Sequence, residues 1–320
     1  MRKVQREAGI FAVFAGVALI CGCGKPGTGE EEKESLKIGI SVYDQYDTFV
    51  SEMVSSFQDY AKEKEKEWGI PITLEIKSAK NSQIIQNDQM DDFIGDNFDI
   101  VCINLVDRTD ASTIIEKAKS SDIPVIFFNR ELVEEDLERW DELYYVGADA
   151  FESGQMQGEI LVEECKKNFE VTDSGYLVEK LEDGIANWNR DQAANKMKQF
   201  LESYGEEIEV VFANNDDMAL GAIDTLKDFG MSESDEDWPV VLGIDGTVVG
   251  LDAVKKGEML GTVLNDFRGQ AQGMLELAYS IKTEKPLPEE FELSDGKYIR
   301  LPYKIVTEDN LGEVQMELME

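Results

Sequence analysis

From residue 36 onward, short, nearly continuous apolar runs alternate with longer stretches in which apolar positions recur every three to four residues. Residues 37–43 form the first run, and the stretch after Asp47 carries Phe49, Met53, Phe57 and Tyr60 at helical spacing. The pairing recurs at 72–76 with 84–94, at 100–106 with 113–119, and at 124–128 with a helix near Leu137. Residues 144–146 then lead into a predicted helix over 152–167. Strands that are apolar at nearly every position are buried on both faces, which happens in parallel sheets covered by helices. A second series opens with a predicted strand at 176–181 and a helix through Ala193, Met197 and Phe200. It continues as 210–213 with 218–229, 240–244 with a short helix around Val254, and 261–264 with 270–281. Residues 298–301 and 304–306 read as short closing strands that cross between lobes. The pattern predicts an α/β fold of two doubly wound parallel-sheet lobes joined by a three-segment hinge. The N-terminal lobe is expected to comprise 36–147 and 267–302, and the C-terminal lobe 148–266 and 303–320.

The first 35 residues break this pattern. Arg2, Lys3 and Arg6 precede an apolar stretch, 9–20, that is too short to span a bilayer and has the outline of a signal peptide. Ile20-Cys21-Gly22-Cys23 resembles a bacterial lipobox, in which a cysteine becomes the new N-terminus and carries the lipid. Cys23 is the expected lipidation site because small Gly22 precedes it; Cys21, behind bulky Ile20, ranks second. Residues 1–23 therefore read as signal peptide and lipobox, and 24–35, rich in glycine and then glutamate, as a flexible tether. The expected location is the outer face of the cell membrane, lipid-anchored.

Charge and composition mainly exclude. With 67 acidic against 31 basic residues the net charge is -36, which sets the body of the chain against nucleic acid and anionic membrane surfaces. The absence of histidine removes Ser-His-Asp and Cys-His catalysis and His-based zinc sites. Cys102 and Cys165 fall in an apolar and a helical run, where buried thiols are expected and no disulfide framework is implied. Gly243-Ile244-Asp245-Gly246 lacks the lysine and the spacing of a phosphate-binding loop.

In open α/β sheets ligands bind beyond the carboxyl ends of the strands. Asp47 and Phe49 follow the first strand, and Ile103-Asn104-Leu105-Val106-Asp107 ends the third. In the second series Ala213 precedes Asn214-Asn215-Asp216, and Gly243-Ile244-Asp245-Gly246 and Val263-Leu264-Asn265-Asp266 follow. Carboxylates and carboxamides suit sugar hydroxyls, since one Asp accepts two hydrogen bonds and Asn both donates and accepts. Phe49 and Trp188 suit the apolar C–H face of a pyranose. Singly, Asp47 and Asp216 are good helix caps and the two rings good core residues; their recurrence at the mouths of both lobes points to a ligand site.

These residues resemble the bacterial galactose/glucose-binding proteins, two-lobed periplasmic binding proteins of type 1 that close on a hexose and pass it to an ABC importer. The resemblance runs from about residue 37 to 311. It is strongest at Ile103-Asn104-Leu105-Val106-Asp107, Pro124-Val125-Ile126-Phe127-Phe128-Asn129, Tyr144-Tyr145-Val146-Gly147, Ala213-Asn214-Asn215-Asp216 and Gly261-Thr262-Val263-Leu264-Asn265-Asp266. It implies that Asp47, Asn104, Asn215, Asp245 and Asn265 hydrogen-bond the sugar and that Phe49 and Trp188 stack on it. It further implies a monomer serving an ABC permease, a D-galactose or D-glucose ligand, and no catalysis. On a binding scaffold the Asp216 and Asp245 pair is not read as a glycosidase dyad. The alternative is a sugar-sensing subunit that presents its ligand to a membrane sensor kinase or chemoreceptor.

The chain departs from the family at the start of the second lobe. There the family has a calcium loop, a strand, and a helix whose start supplies a His, an Asp and an Arg to the sugar. Here the helix over 159–169 runs almost directly into Val171-Thr172-Asp173-Ser174-Gly175. One strand–helix unit is expected to be missing, and the calcium site with it, Glu209 being the only surviving match. Hexose binding is accordingly expected to be weak or absent.

Overall fold

The computed structural model of the protein describes residues 35–168 and 178–318. Along the chain β1 (Leu36–Val42), α1 (Thr48–Trp68), β2 (Ile72–Ser78), α2 (Gln83–Gly95) and β3 (Ile100–Ile103) come first. They are followed by α3 (Ser112–Ser121), β4 (Val125–Phe128), α4 (Glu134–Leu137), β5 (Leu143–Gly147) and α5 (Ala150–Asn168). Next are α6 (Arg190–Tyr204), β6 (Val210–Phe212), α7 (Asp216–Asp228), β7 (Val240–Asp245), α8 (Val248–Lys255) and β8 (Gly261–Leu264). The chain ends with α9 (Phe267–Thr283), β9 (Tyr298–Arg300), β10 (Lys304–Thr307) and α10 (Leu311–Glu317).

The first sheet has the order β2-β1-β3-β4-β5-β9 and is parallel throughout. Alternate residues explain its continuous apolar runs. Ile38, Ile40, Cys102, Ile126 and Phe128 share a core with Val50, Met53 and Phe57 of α1 and Ala271, Met274 and Leu275 of α9. Val101, Ile103, Val125, Phe127 and Tyr145 pack with Met90 and Phe93 of α2 and Ile114 and Ile115 of α3. Both faces are covered at the centre of the sheet, and there β3 and β4 are apolar and buried at every position. The second sheet runs β10-β8-β7-β6, with β10 antiparallel to β8. Ala219, Ile223 and Leu226 of α7, Leu251 and Val254 of α8 and Val314 of α10 form one of its cores. Ile160 and Leu161 of α5 pack against Leu242, Ile244 and Val263 in another. The chain passes from one sheet to the other between β5 and α5, between β8 and α9, and between β9 and β10, which are three crossings.

Three differences from the sequence expectation have physical causes. The strand expected at 176–181 is not formed where it can be followed: Tyr176 and Leu177 lie outside the described residues, and 178–181 are irregular. Val178 to Lys180 are exposed, and Glu179 and Lys180 give that stretch no face to bury. Among the described residues β6 therefore ends its sheet, with Phe212 45% exposed. Second, β10 pairs antiparallel, a direction that the apolar pattern of Lys304 to Val306 does not encode. Third, α10 was not expected; it buries only Leu311 and Val314, too few positions to establish a period. Cys102 is buried and Cys165 half-buried, both as free thiols, and Cys21 and Cys23 lie outside the described residues. Among the described residues no helix is long and apolar enough to cross a membrane.

Candidate functional site

The carboxyl ends of β1, β4, β6, β7 and β8 meet around a cavity of about 290 Å³ between the two sheets. Six of the seven residues expected there line it: Asp47, Phe49, Trp188, Asn215, Asp245 and Asn265. Asp47 caps α1, its Oδ1 accepting from the Val50 amide at 2.8 Å, while Oδ2 accepts from the Tyr43 hydroxyl. Burial raises its carboxyl above the ordinary range. Phe49, two residues further on, is core and wall at once, meeting Phe267 edge-to-face at 6.3 Å between ring centroids.

Asn104 is placed differently. It is fully buried, its Nδ2 donating to the Phe128 carbonyl at 3.1 Å and to Asn129 Oδ1 at 3.2 Å, and its Oδ1 has no partner among the described residues. Because β3 stops at Ile103, the Asn104 amide ties the end of β3 to the end of β4, and Asn129 takes the position on the wall. Beside it Arg130 reaches over the cavity. Its guanidinium lies 4.5 Å from the Tyr43 ring and 4.7 Å from the Trp188 ring, and Nη1 donates to the Leu105 and Val106 carbonyls at 2.7 and 3.0 Å.

The second sheet contributes through loop ends. Asn215 caps α7, its Oδ1 accepting from the Met218 amide at 2.9 Å, and its Nδ2 donates to the Trp188 carbonyl at 3.4 Å. Asn187 and Trp188 both take positive φ, 49° and 55°, in the tight turn before Asn189 caps α6. Asp245 at the end of β7 has φ 111°, a strained value for a residue with a Cβ, of the kind that concentrates at functional sites. Burial raises its carboxyl well above the ordinary range, with Asp216 and Asp47 adding to the push and the Asn265 side chain opposing it. Asn265 in turn accepts from Gln270 Nε2 at 2.6 Å. Gln157 of α5 donates to the Ala213 and Gly243 carbonyls at 2.8 and 3.1 Å, joining the ends of β6 and β7. Tyr303, on the third crossing, lines the cavity with its hydroxyl pushed up to about 12, chiefly by burial.

Asn129 and Arg130 follow an apolar strand as Asp47 and Asn104 do, so the strand-end rule had the means to find them. Gln157 lies inside a helix and Tyr303 in a hinge, and neither carries such a signal. Glu209 is exposed just before β6, and its backbone carbonyl accepts from the Val240 amide at 2.9 Å. No group of three or more acidic or thiol side chains able to hold a metal occurs among the described residues.

The two lobes touch across the mouth of the cavity. Thr48 Oγ1 of α1 donates to Asp217 Oδ2 of α7 at 2.7 Å, and the Val248 amide at the start of α8 donates to Glu52 Oε1 at 3.3 Å. With Arg130 against Trp188, these contacts hold the structure in a closed arrangement.

The sequence profile described as periplasmic binding protein domain matches residues 38–179 and 170–286, and so reaches from β1 into both lobes. The chain belongs to the periplasmic binding protein family. Relatives of this binding protein include the D-galactose/methyl-galactoside binding periplasmic protein of Haemophilus influenzae, 33% identical over 87% of this chain and 91% of that one. A xylitol-binding protein of Mycolicibacterium smegmatis is 29% identical over 97% of this chain and 88% of its own length. In structure it is similar to a Bacillus halodurans ABC transporter solute-binding protein with bound myo-inositol: TM-score 0.74, 24% identity, 90% of this chain and 99% of that one. A periplasmic solute-binding protein of Actinobacillus succinogenes with bound D-allose superposes with TM-score 0.73 at 19% identity, over 87% of this chain and all of that one. At these identities the likeness establishes the two-lobed α/β fold with largely parallel sheets.

Proposed function

We propose that this periplasmic binding protein captures a hexose, D-galactose or D-glucose, outside the cell for an ABC importer, held at the membrane by a lipid on Cys23. One observation carries the reading: a cavity walled by carboxylates, carboxamides and aromatic rings between two closed lobes. Asp47, Asn215, Asp245 and Asn265 present acceptors and donors for sugar hydroxyls, Phe49 and Trp188 present ring faces, and Asn104 supports the wall through Asn129. The likeness to a galactose-binding relative favours a hexose among sugars. The role is capture without chemistry, by a monomer whose lobes close over the ligand and dock on a permease.

Affinity is the weak point. Several wall groups are already engaged: Asn215 and Asp47 cap helices, and Arg130 covers Trp188. Absent contacts from the start of the second lobe, at about 1–3 kcal/mol each, would leave binding weaker than in a complete site. Membrane fractions carrying the full chain are expected to bind radiolabelled D-galactose or D-glucose, and Cys23→Ala to move that binding to the soluble fraction. Binding in neither fraction removes the hexose reading, and binding that stays with the membrane in the variant removes the anchor.

A further inference from the structure

The second lobe presents three of the cavity's polar side chains, Asn215, Asp245 and Asn265, on three separate loops. Asp216 touches the machinery of all three, yet does not line the cavity. It is fully buried at the first turn of α7, next to Asn215. Its Oδ2 accepts from the Thr247 amide at 2.8 Å and the Thr247 hydroxyl at 3.0 Å, two residues beyond Asp245. Its Oδ1 accepts from the Thr262 hydroxyl at 2.6 Å, three residues before Asn265 on β8. Among the described residues no lysine or arginine forms an ion pair with it, so the carboxylate's bonding capacity goes to these loops.

The surroundings are cut to its shape. A Cβ on Gly243, two residues before Asp245, would lie 2.3 Å from Asp216 Oδ1, and one on Gly250 in α8 2.1 Å from Oδ2. Thr247 relays the tie, since its hydroxyl accepts from the Gly250 amide at 3.1 Å and so caps α8. The Asn265 amide donates to the Asp245 carbonyl at 3.0 Å, which fastens two of the loops to each other directly. Nothing in this arrangement is needed to fill a core, where an apolar side chain would serve without a buried charge.

We infer that Asp216 is the positioning residue of the second lobe's half of the cavity, one carboxylate that fixes three loop ends so that Asn215, Asp245 and Asn265 address a single ligand. The assignment rests on the reading of the cavity as the sugar site, but the geometry it claims exists without a sugar.

Hydrogen exchange on the full chain without ligand tests it. Asp216→Ala is expected to speed exchange of the Thr247, Gly250 and Asn265 amides together, by about ten-fold or more, while β1 to β5 keep their protection. Asp216→Asn, which retains an acceptor and the volume, restores protection to within about three-fold. Thr262→Val, a milder change should the alanine variant fail to fold, loosens Asn265 more than Thr247. Leu226→Ala, a core truncation elsewhere on α7, serves as the control, because loss of stability alone would speed exchange across the whole lobe evenly. Wild-type protection of these amides in Asp216→Ala, or loosening of Thr247 and Gly250 with Asn265 unchanged, overturns the inference. In a parallel titration with D-galactose and D-glucose, Asp216→Ala weakens binding about thirty-fold and Leu226→Ala leaves it unchanged. Equal weakening in the two variants also overturns it. A wild-type chain that takes neither sugar counts against the hexose reading alone, and the exchange result still decides the role of Asp216.

Discussion

Among the described residues Asp216 accepts hydrogen bonds only from uncharged donors, and burial pushes its carboxyl from an ordinary 3.8 up to about 7, with neighbouring Asp217 adding to the push. Asp245, Asp47 and Glu52 are displaced in the same direction, each chiefly by burial. The charged groups that act on this set are Asp217 on α7, which raises all four, and Asp44 beside Asp47, while Asp216 and Asp47 both raise Asp245. A carboxyl whose folded value is raised contributes stability that is fully present below its unfolded value and is lost as pH climbs through the folded one. For Asp216 that window runs from 3.8 to about 7, and the effect is at most about 4 kcal/mol. The melting temperature at about pH 5.5 is therefore expected to exceed that at about pH 8 by several degrees, and Asp216→Asn to narrow the gap. A wild-type melting temperature that rises toward pH 8 would contradict this. The same scale explains why the sequence left two readings open for Asp47. It uses one side-chain oxygen as a helix cap and still faces the cavity, as Asn215 does, so cap and wall are not exclusive; Asp216, the other expected cap, lies one residue past the α7 cap and does not line the cavity. Asn104 could not be resolved this way, because whether a strand-end amide faces a cavity or ties two strands depends on where β4 ends.

Elements were readable where burial is two-sided. Ile100 to Ile103 and Val125 to Phe128 are apolar throughout, and Leu36 to Val42 is apolar but for Lys37 and Ser41, because helices cover both faces of the sheet, and that leaves a run no loop would carry. Edges and ends lack that constraint. The direction of β10, the short α10 and the irregular course of Val178 to Leu181 are set by which neighbour is within reach, which composition does not record. Close helix packing is equally silent until the structure is seen. Gly221 of α7 lies against α6, and a Cβ there would sit 2.2 Å from the Arg190 carbonyl oxygen and 3.1 Å from the Ala194 amide nitrogen. Both are backbone atoms, so the helices must separate to admit it. Gly221→Ala is expected to destabilise the protein by about 2 kcal/mol or more in urea unfolding, although alanine is the better helix former. A neutral or stabilised variant would show that α6 yields readily.

At the scale of the whole molecule the two sheets, the crossings between them and the cavity they enclose form a clamp. Thr48 on Asp217 and Glu52 on the α8 amide end close it at the mouth, while Arg130 reaches from β4 to Trp188 above the ligand space. The two hydrogen bonds join residues 169 and 196 positions apart in the chain, too distant for any local pattern to predict. The pairing of lobes followed from the repeated strand–helix series; how tightly they meet did not. The central claim is that this space takes a hexose, and titration calorimetry of the soluble Cys23→Ala chain against D-galactose, D-glucose and a panel of other monosaccharides tests it most directly. The expected result is saturable one-to-one binding of galactose or glucose with a Kd weaker than about 1 μM. No saturable heat from any sugar, in a chain that melts cooperatively, would contradict it.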